Sequence, residues 1–128
     1  MTIDYHEDDA TKVVEFHVKG HISREVYEPL VHKLQDFIDR NGTVRMIEVV
    51  EHFPTFDPSL LVPGLKFDIR NIRYITHVAV VSDMGWISPV VKAAGALIST
   101  KIRTFGIANL EAARDWVRTA DPEGGAAV

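Results

Sequence analysis

Apolar residues recur along this chain with two periods, and the switches between them mark out the elements. Residues 1–6 alternate weakly and predict a short edge strand. The run 12–19 alternates clearly. Val14, Phe16 and Val18 fall on one face and Glu15, His17 and Lys19 on the other, the repeat of a strand covered on one side. Gly20 ends it. From Ser23 the repeat lengthens: Val26, Tyr27, Leu30, Val31, Leu34, Phe37 and Ile38 return every three or four residues and form one helical stripe. The Ser23 hydroxyl is placed to accept from a free N–H of the first turn. Glu25 suits the positive end of the helix dipole. Asn41-Gly42 stops the helix, Gly42 being free to take positive φ. Val44–Val50 is largely apolar, as a strand covered on both faces would be.

A loop follows over 51–57. A second helix carries Leu61, Leu65, Ile69 and Ile72. It starts at Pro58 with Asp57 as cap, or at Pro63, since Pro63-Gly64 would kink a longer helix. Residues 77–82 read as a buried parallel strand. Trp86, Ile87, Val90, Val91, Ala94, Leu97 and Ile98 have helical spacing, with Ser88-Pro89 as cap and first position. Lys101–Phe105 is a last short strand, and Asn109 caps a final helix that buries Leu110, Ala113, Trp116 and Val117. Asp8 and Asp9 supply turn chemistry, and the first two strands are joined too tightly to be parallel. Beyond them strands alternate with helices, which predicts parallel pairing with right-handed crossovers. The expected fold is α/β: a five-stranded mixed sheet with about four helices in the order ββαβαβαβα, one domain over 1–120. The segment 121–128 has nothing to bury and reads as a flexible tail.

Composition narrows the chemistry. The 128 residues include no Cys, which excludes disulfides, thiolate catalysis and Cys-ligated metal. Eighteen acidic against 14 basic residues give a formal charge of −4, the wrong balance for a dedicated nucleic-acid binder. Lys66, Arg70, Arg73, Lys101 and Arg103 are interspersed with apolar residues and read as a solvated face. No apolar run approaches the ~20 residues of a membrane span. The first residues do not form a signal peptide, so a cytoplasmic location is expected. No phosphate-binding loop, dinucleotide fingerprint, H-E-x-x-H helix or G-x-S-x-G elbow is present. No cofactor or metal is therefore expected. His17 and His21 are four apart with Gly20 between them, and the six His read as surface residues.

Three stretches resemble one known family: VVEFHVKGHIS, LKFDIRNIRYITHVAVVSDMGW and KIRTFGIANLEAARDWV. In order and spacing they are similar to the SpoIIAA-like family, related to STAS domains and so to bacterial anti-sigma factor antagonists. The resemblance covers the chain from Val13 almost to its end. It implies a small module that binds a partner. In anti-sigma factor antagonists a Ser that opens the helix after the third strand is phosphorylated within a D-S-S/T-G-like motif. The matching stretch here is Asp57-Pro58-Ser59-Leu60, which makes Ser59 the candidate phosphosite; Pro58 and Leu60 depart from the pattern. The family's likeness to lipid-binding folds of the CRAL-TRIO type implies an apolar ligand as the other option.

In open α/β sheets, ligands bind beyond the carboxyl ends of the parallel strands. Glu51 and His52 follow the third strand, Asp83 follows the fourth, and Asp57 and Ser59 open the second helix. Glu51, Phe53, Phe56, Asp57, Asp83 and Trp86 are thus the candidate binding residues, with Ser59 as the switch. The plainer roles are helix capping for Asp57 and Asp83 and a solvated loop for Glu51 and His52. Phosphate on Ser59 would meet the positive end of a helix but also the like charge of Asp57. Three functions follow: a non-enzymatic regulatory module for a protein partner or a small apolar ligand, an enzyme using Glu51, His52 and Asp83 as acid–base groups, or a self-associating structural subunit. The stretch Ala93-Ala94-Gly95-Ala96 permits close approach, for core packing, a homo-oligomer seam or a cavity wall that Phe53, Phe56, Phe67 and Trp86 would complete.

Overall fold

Five strands form the central sheet in the computed structural model, which describes residues 2–51, 55–56, 59, 66, 70–83 and 100–120. The strands are β1 (Thr2–Asp8), β2 (Val13–Lys19), β4 (Val44–Val50), β6 (Ile75–Val81) and β7 (Lys101–Phe105), side by side in that order. The first pair is antiparallel and the remaining three pairs are parallel. The expected five-stranded mixed sheet is present. The element order differs from the expected one, because two short strands were not foreseen. β3 (His21–Ile22) and β5 (Thr55–Phe56) pair in parallel as a small second sheet. The reason is local: the chain stays extended past Gly20, and its backbone groups require partners.

Two α-helices stand among the described residues, α1 (Arg24–Asn41) and α2 (Leu110–Thr119), where about four were expected. The expected third helix lies outside the described residues, and the second lies there in large part; Lys66, Arg70 and Asn71 within its span are helical. Helix α1 keeps the predicted limits. Ser23 precedes it, and Gly42 ends it at φ 82°, its N–H donating to the Ile38 carbonyl at 2.7 Å. The Ser23 hydroxyl makes no capping bond, contrary to expectation; the Ser23 carbonyl instead accepts from Val26 and Tyr27. Asn109 likewise makes no side-chain cap, because a 3₁₀ turn over Ile107–Asn109 runs directly into α2.

Each face of the sheet carries its own core. Val14, Phe16, Val18, Val44 and Met46 pack with Leu34, Phe37 and Ile38 of α1. Val13, Ile47, Val49, Ala79 and Val81 pack with Ala113 and Val117 of α2, and Leu110 and Trp116 complete that side. The central strands β4 and β6 are thus covered on both faces, which is why their sequences are largely apolar. β2 was expected to be covered on one face only. Its second face is half-buried at Glu15 and His17, since α2 reaches its border. His77 corrects the expectation that all six His lie at the surface. It is fully buried under α2, edge-on to Trp116 at 5.6 Å, with Nδ1 2.9 Å from the Thr76 hydroxyl.

Candidate functional site

The parallel register fixes which chain segments leave the sheet together. Val49 of β4 pairs with Val81 of β6, so Glu51 and Asp83, each two residues further on, leave neighbouring strands at the same edge. Val81 pairs in turn with Phe105, and Ser82 N donates to the Phe105 carbonyl at 2.9 Å, which continues the ladder to the end of β7. Glu51 and Asp83 are both exposed there.

The segment after β4 remains at this edge. Thr55 pairs with His21 and Phe56 with Ile22, the residues that join β2 to α1. Ser59 is exposed, and its carbonyl accepts from Arg24 Nη2, in the first turn of α1, at 3.3 Å. The backbone at Phe56, the residue Ser59 and the start of α1 are therefore held together. His52, Phe53, Asp57 and Trp86 lie outside the described residues.

Asp83 has a partner that the sequence did not suggest. Its Oδ1 accepts from Ile107 N at 2.9 Å and so ties the end of β6 to the 3₁₀ turn before α2. Gly106 makes room for this carboxylate: a Cβ at that position would sit 3.2 Å from Asp83 Oδ1. Asp83 was read as a possible cap of the following helix; the bond found here is to a segment 24 residues away.

A second charged group sits on the α2 face. Arg114 grips Glu15 with two donors, Nε to Oε1 at 2.8 Å and Nη2 to Oε2 at 2.6 Å, and also bonds Glu111. His17 Nε2 lies 2.8 Å from Glu15 Oε2. The Arg114 hydrogen bonds outweigh the cost of burial and bring the Glu15 carboxyl down to about 2. The only sequence signal for this group was the polar face of β2 opposite Arg114. Among the described residues, no three His, Asp or Glu side chains gather as a metal site. Lys66, Arg70, Arg73, Lys101 and Arg103 are all exposed, as expected of a solvated face.

The family model described as SpoIIAA-like matches residues 13–118. The chain belongs to the SpoIIAA-like family. A solved structure of an uncharacterised protein from the DUF3478 family, from Shewanella loihica PV-4, is described as having a SpoIIAA-like fold. It superposes with a TM-score of 0.72 over 91% of this chain and 94% of that one, at 14% identity. No curated protein matches the chain. This SpoIIAA-like protein therefore shares the α/β fold suggested by the resemblance of its sequence.

Proposed function

We propose that this SpoIIAA-like protein is a non-enzymatic regulatory module of the STAS type. It engages a protein partner or a small apolar molecule at the sheet edge where β4 and β6 end. The observation that carries the reading is the register: Val49 beside Val81 brings Glu51 and Asp83 out of the sheet together. The β3–β5 pairing keeps the segment leading to Ser59 near the start of α1. Glu51, Phe53, Phe56, Asp57, Asp83 and Trp86 are the proposed contact residues. The exposed Ser59 is the proposed switch, because phosphate there would change the charge of a surface already held against α1. The acid–base alternative has less support, since Asp83 already uses one carboxylate oxygen to hold Ile107 N–H.

Native mass spectrometry of freshly purified protein tests the ligand reading, which expects a bound apolar molecule that denaturation releases. Affinity capture with wild type, Glu51→Arg and Ser59→Asp tests the partner reading. Both substitutions are at exposed positions and are expected to leave the circular dichroism spectrum unchanged. Each is expected to reduce recovery of the partner at least roughly tenfold, the effect of about 1.4 kcal/mol. Equal recovery with all three proteins, together with no bound molecule, removes this edge as the binding site.

A further inference from the structure

The central sheet has an open side at β1. This strand pairs with β2 alone, in a register that runs unbroken over all 7 of its residues, from Thr2 beside Lys19 to Asp8 beside Val13. Among the described residues no hydrogen bond reaches its outer backbone groups. Such a row of N–H and C=O groups is a template for another strand, and proteins usually guard it with Pro, Lys, a bulge or a very short strand. β1 has none of these guards. Ile3 and Tyr5 pack against the core under α1 and hold the strand in place. Asp4 and His6 point to the opposite face and are exposed.

The strand is complementary to itself. A two-fold axis normal to the sheet would set the β1 strands of two copies antiparallel, each residue opposite one on the same face. That symmetry allows only registers centred on a residue. Centring on Tyr5 pairs the whole of Thr2–Asp8 and sets Asp4 opposite His6 of the second copy, twice. Centring on Asp4 would oppose that carboxylate to its own counterpart, and centring on His6 would oppose Asp4 to Asp8 twice. Like charges directly opposite are destabilising, so charge selects the register that also has full overlap. His6 carries an N–H donor whether neutral or charged. Asp4 reaches Lys19 only through Oδ2, at 3.7 Å between exposed side chains, and keeps Oδ1 for His6. The helices leave room as well. α1 contacts β1 on one side and β4 on the other, so it runs over β2. Strands ~4.8 Å apart then separate the α1 helices of the two copies by roughly 14 Å, beyond the about 8–10 Å of helices in contact. α2 lies over β4, β6 and β7, further from the seam.

We propose that this chain forms a two-fold dimer through β1, with two five-stranded sheets joined into one continuous sheet by about six to eight new backbone hydrogen bonds. The parallel strands of the two copies then run in opposite directions, and the edges where β4 and β6 end lie at opposite ends of the seam. The dimer is independent of the binding proposed at that edge.

Sedimentation equilibrium and amide hydrogen exchange of the full chain test the proposal. The wild type is expected to dimerise with a dissociation constant on the order of 10 µM. Alternate amides of β1, those pointing away from β2, are expected to exchange more slowly as concentration rises. His6→Asp sets carboxylates opposite each other at both pairs and is expected to weaken the dimer at least roughly tenfold, with an unchanged circular dichroism spectrum. The swap of Asp4→His with His6→Asp leaves the composition unchanged and is expected to restore the dimer to within about threefold of wild type. A monomer up to about 500 µM overturns the proposal and leaves the edge to an extended strand of another protein. It is overturned equally by a dimer that His6→Asp does not weaken, by a swap that stays as weak as His6→Asp, or by concentration-dependent protection confined to residues outside β1.

Discussion

At the scale of single residues, Glu15 and Thr11 show opposite outcomes for a polar atom beside an apolar sheet. Glu15 is gripped by Arg114, and its carboxyl is lowered from 4.5 to about 2. A carboxylate depressed in the folded state stabilises above its ordinary value, and that contribution is lost as pH falls toward the folded value. In urea denaturation, Glu15→Gln is therefore expected to lower stability at pH 7 by about 1.5–3 kcal/mol, the range for a hydrogen bond to a charged group. The gap between wild type and variant should narrow as pH drops from about 4.5 toward 2. A gap that widens in acid would contradict the geometry of the pair. Thr11 is the reverse case. With its hydroxyl buried and unpaired, Thr11→Val should raise stability by ~1 kcal/mol, read as a higher melting temperature.

At the scale of elements, several limits follow from period and punctuation, while β1 runs to Asp8 and β6 starts at Ile75, two residues from their expected ends. Val44–Val50 and Lys101–Phe105 occupy their predicted ranges, and α1 ends where Asn41-Gly42 said it would. Those signals are local and survive folding. Gly42 sits at φ 82° with open space around its Cα, so Gly42→Ala adds no clash and tests backbone conformation alone. It is expected to cost about 1 kcal/mol in equilibrium unfolding. Other features could not be read from a linear chain. The β3–β5 pair joins residues more than thirty positions apart, and neither strand has enough length to impose a period. The Asp83–Ile107 bond depends on two strand ends meeting in register. Capping was misjudged at Ser23 and Asn109 because a suitable residue type indicates where a helix begins but not which of its atoms accepts the bond.

At the scale of the whole molecule, the two sheet faces and the helices described on them must agree on one arrangement. The expected mixed sheet followed from hairpin length and βα alternation. The mutual placement of Glu51 and Asp83 followed once β4 and β6 proved to be neighbours. The Arg114–Glu15 pair escaped the sequence, because the two residues are 99 positions apart and nothing local links them. Arg45 makes a comparable long-range link. From β4 it reaches across the face and donates through Nη1 to the Val117 and Ala120 carbonyls, at 2.8 and 2.9 Å. It thereby closes the C-terminal end of α2, where carbonyls lack partners of their own. Arg45→Met is expected to cost about 1.5–3 kcal/mol, with amide exchange accelerating first in α2; uniform acceleration would mean that the helix does not open by itself.

That reach of Arg45 has a consequence for shortened chains. A fragment that stops after β7 would leave its guanidinium without the Val117 and Ala120 carbonyls that receive it. Such a truncation should remain loosely collapsed until a synthetic peptide spanning α2 is supplied in trans.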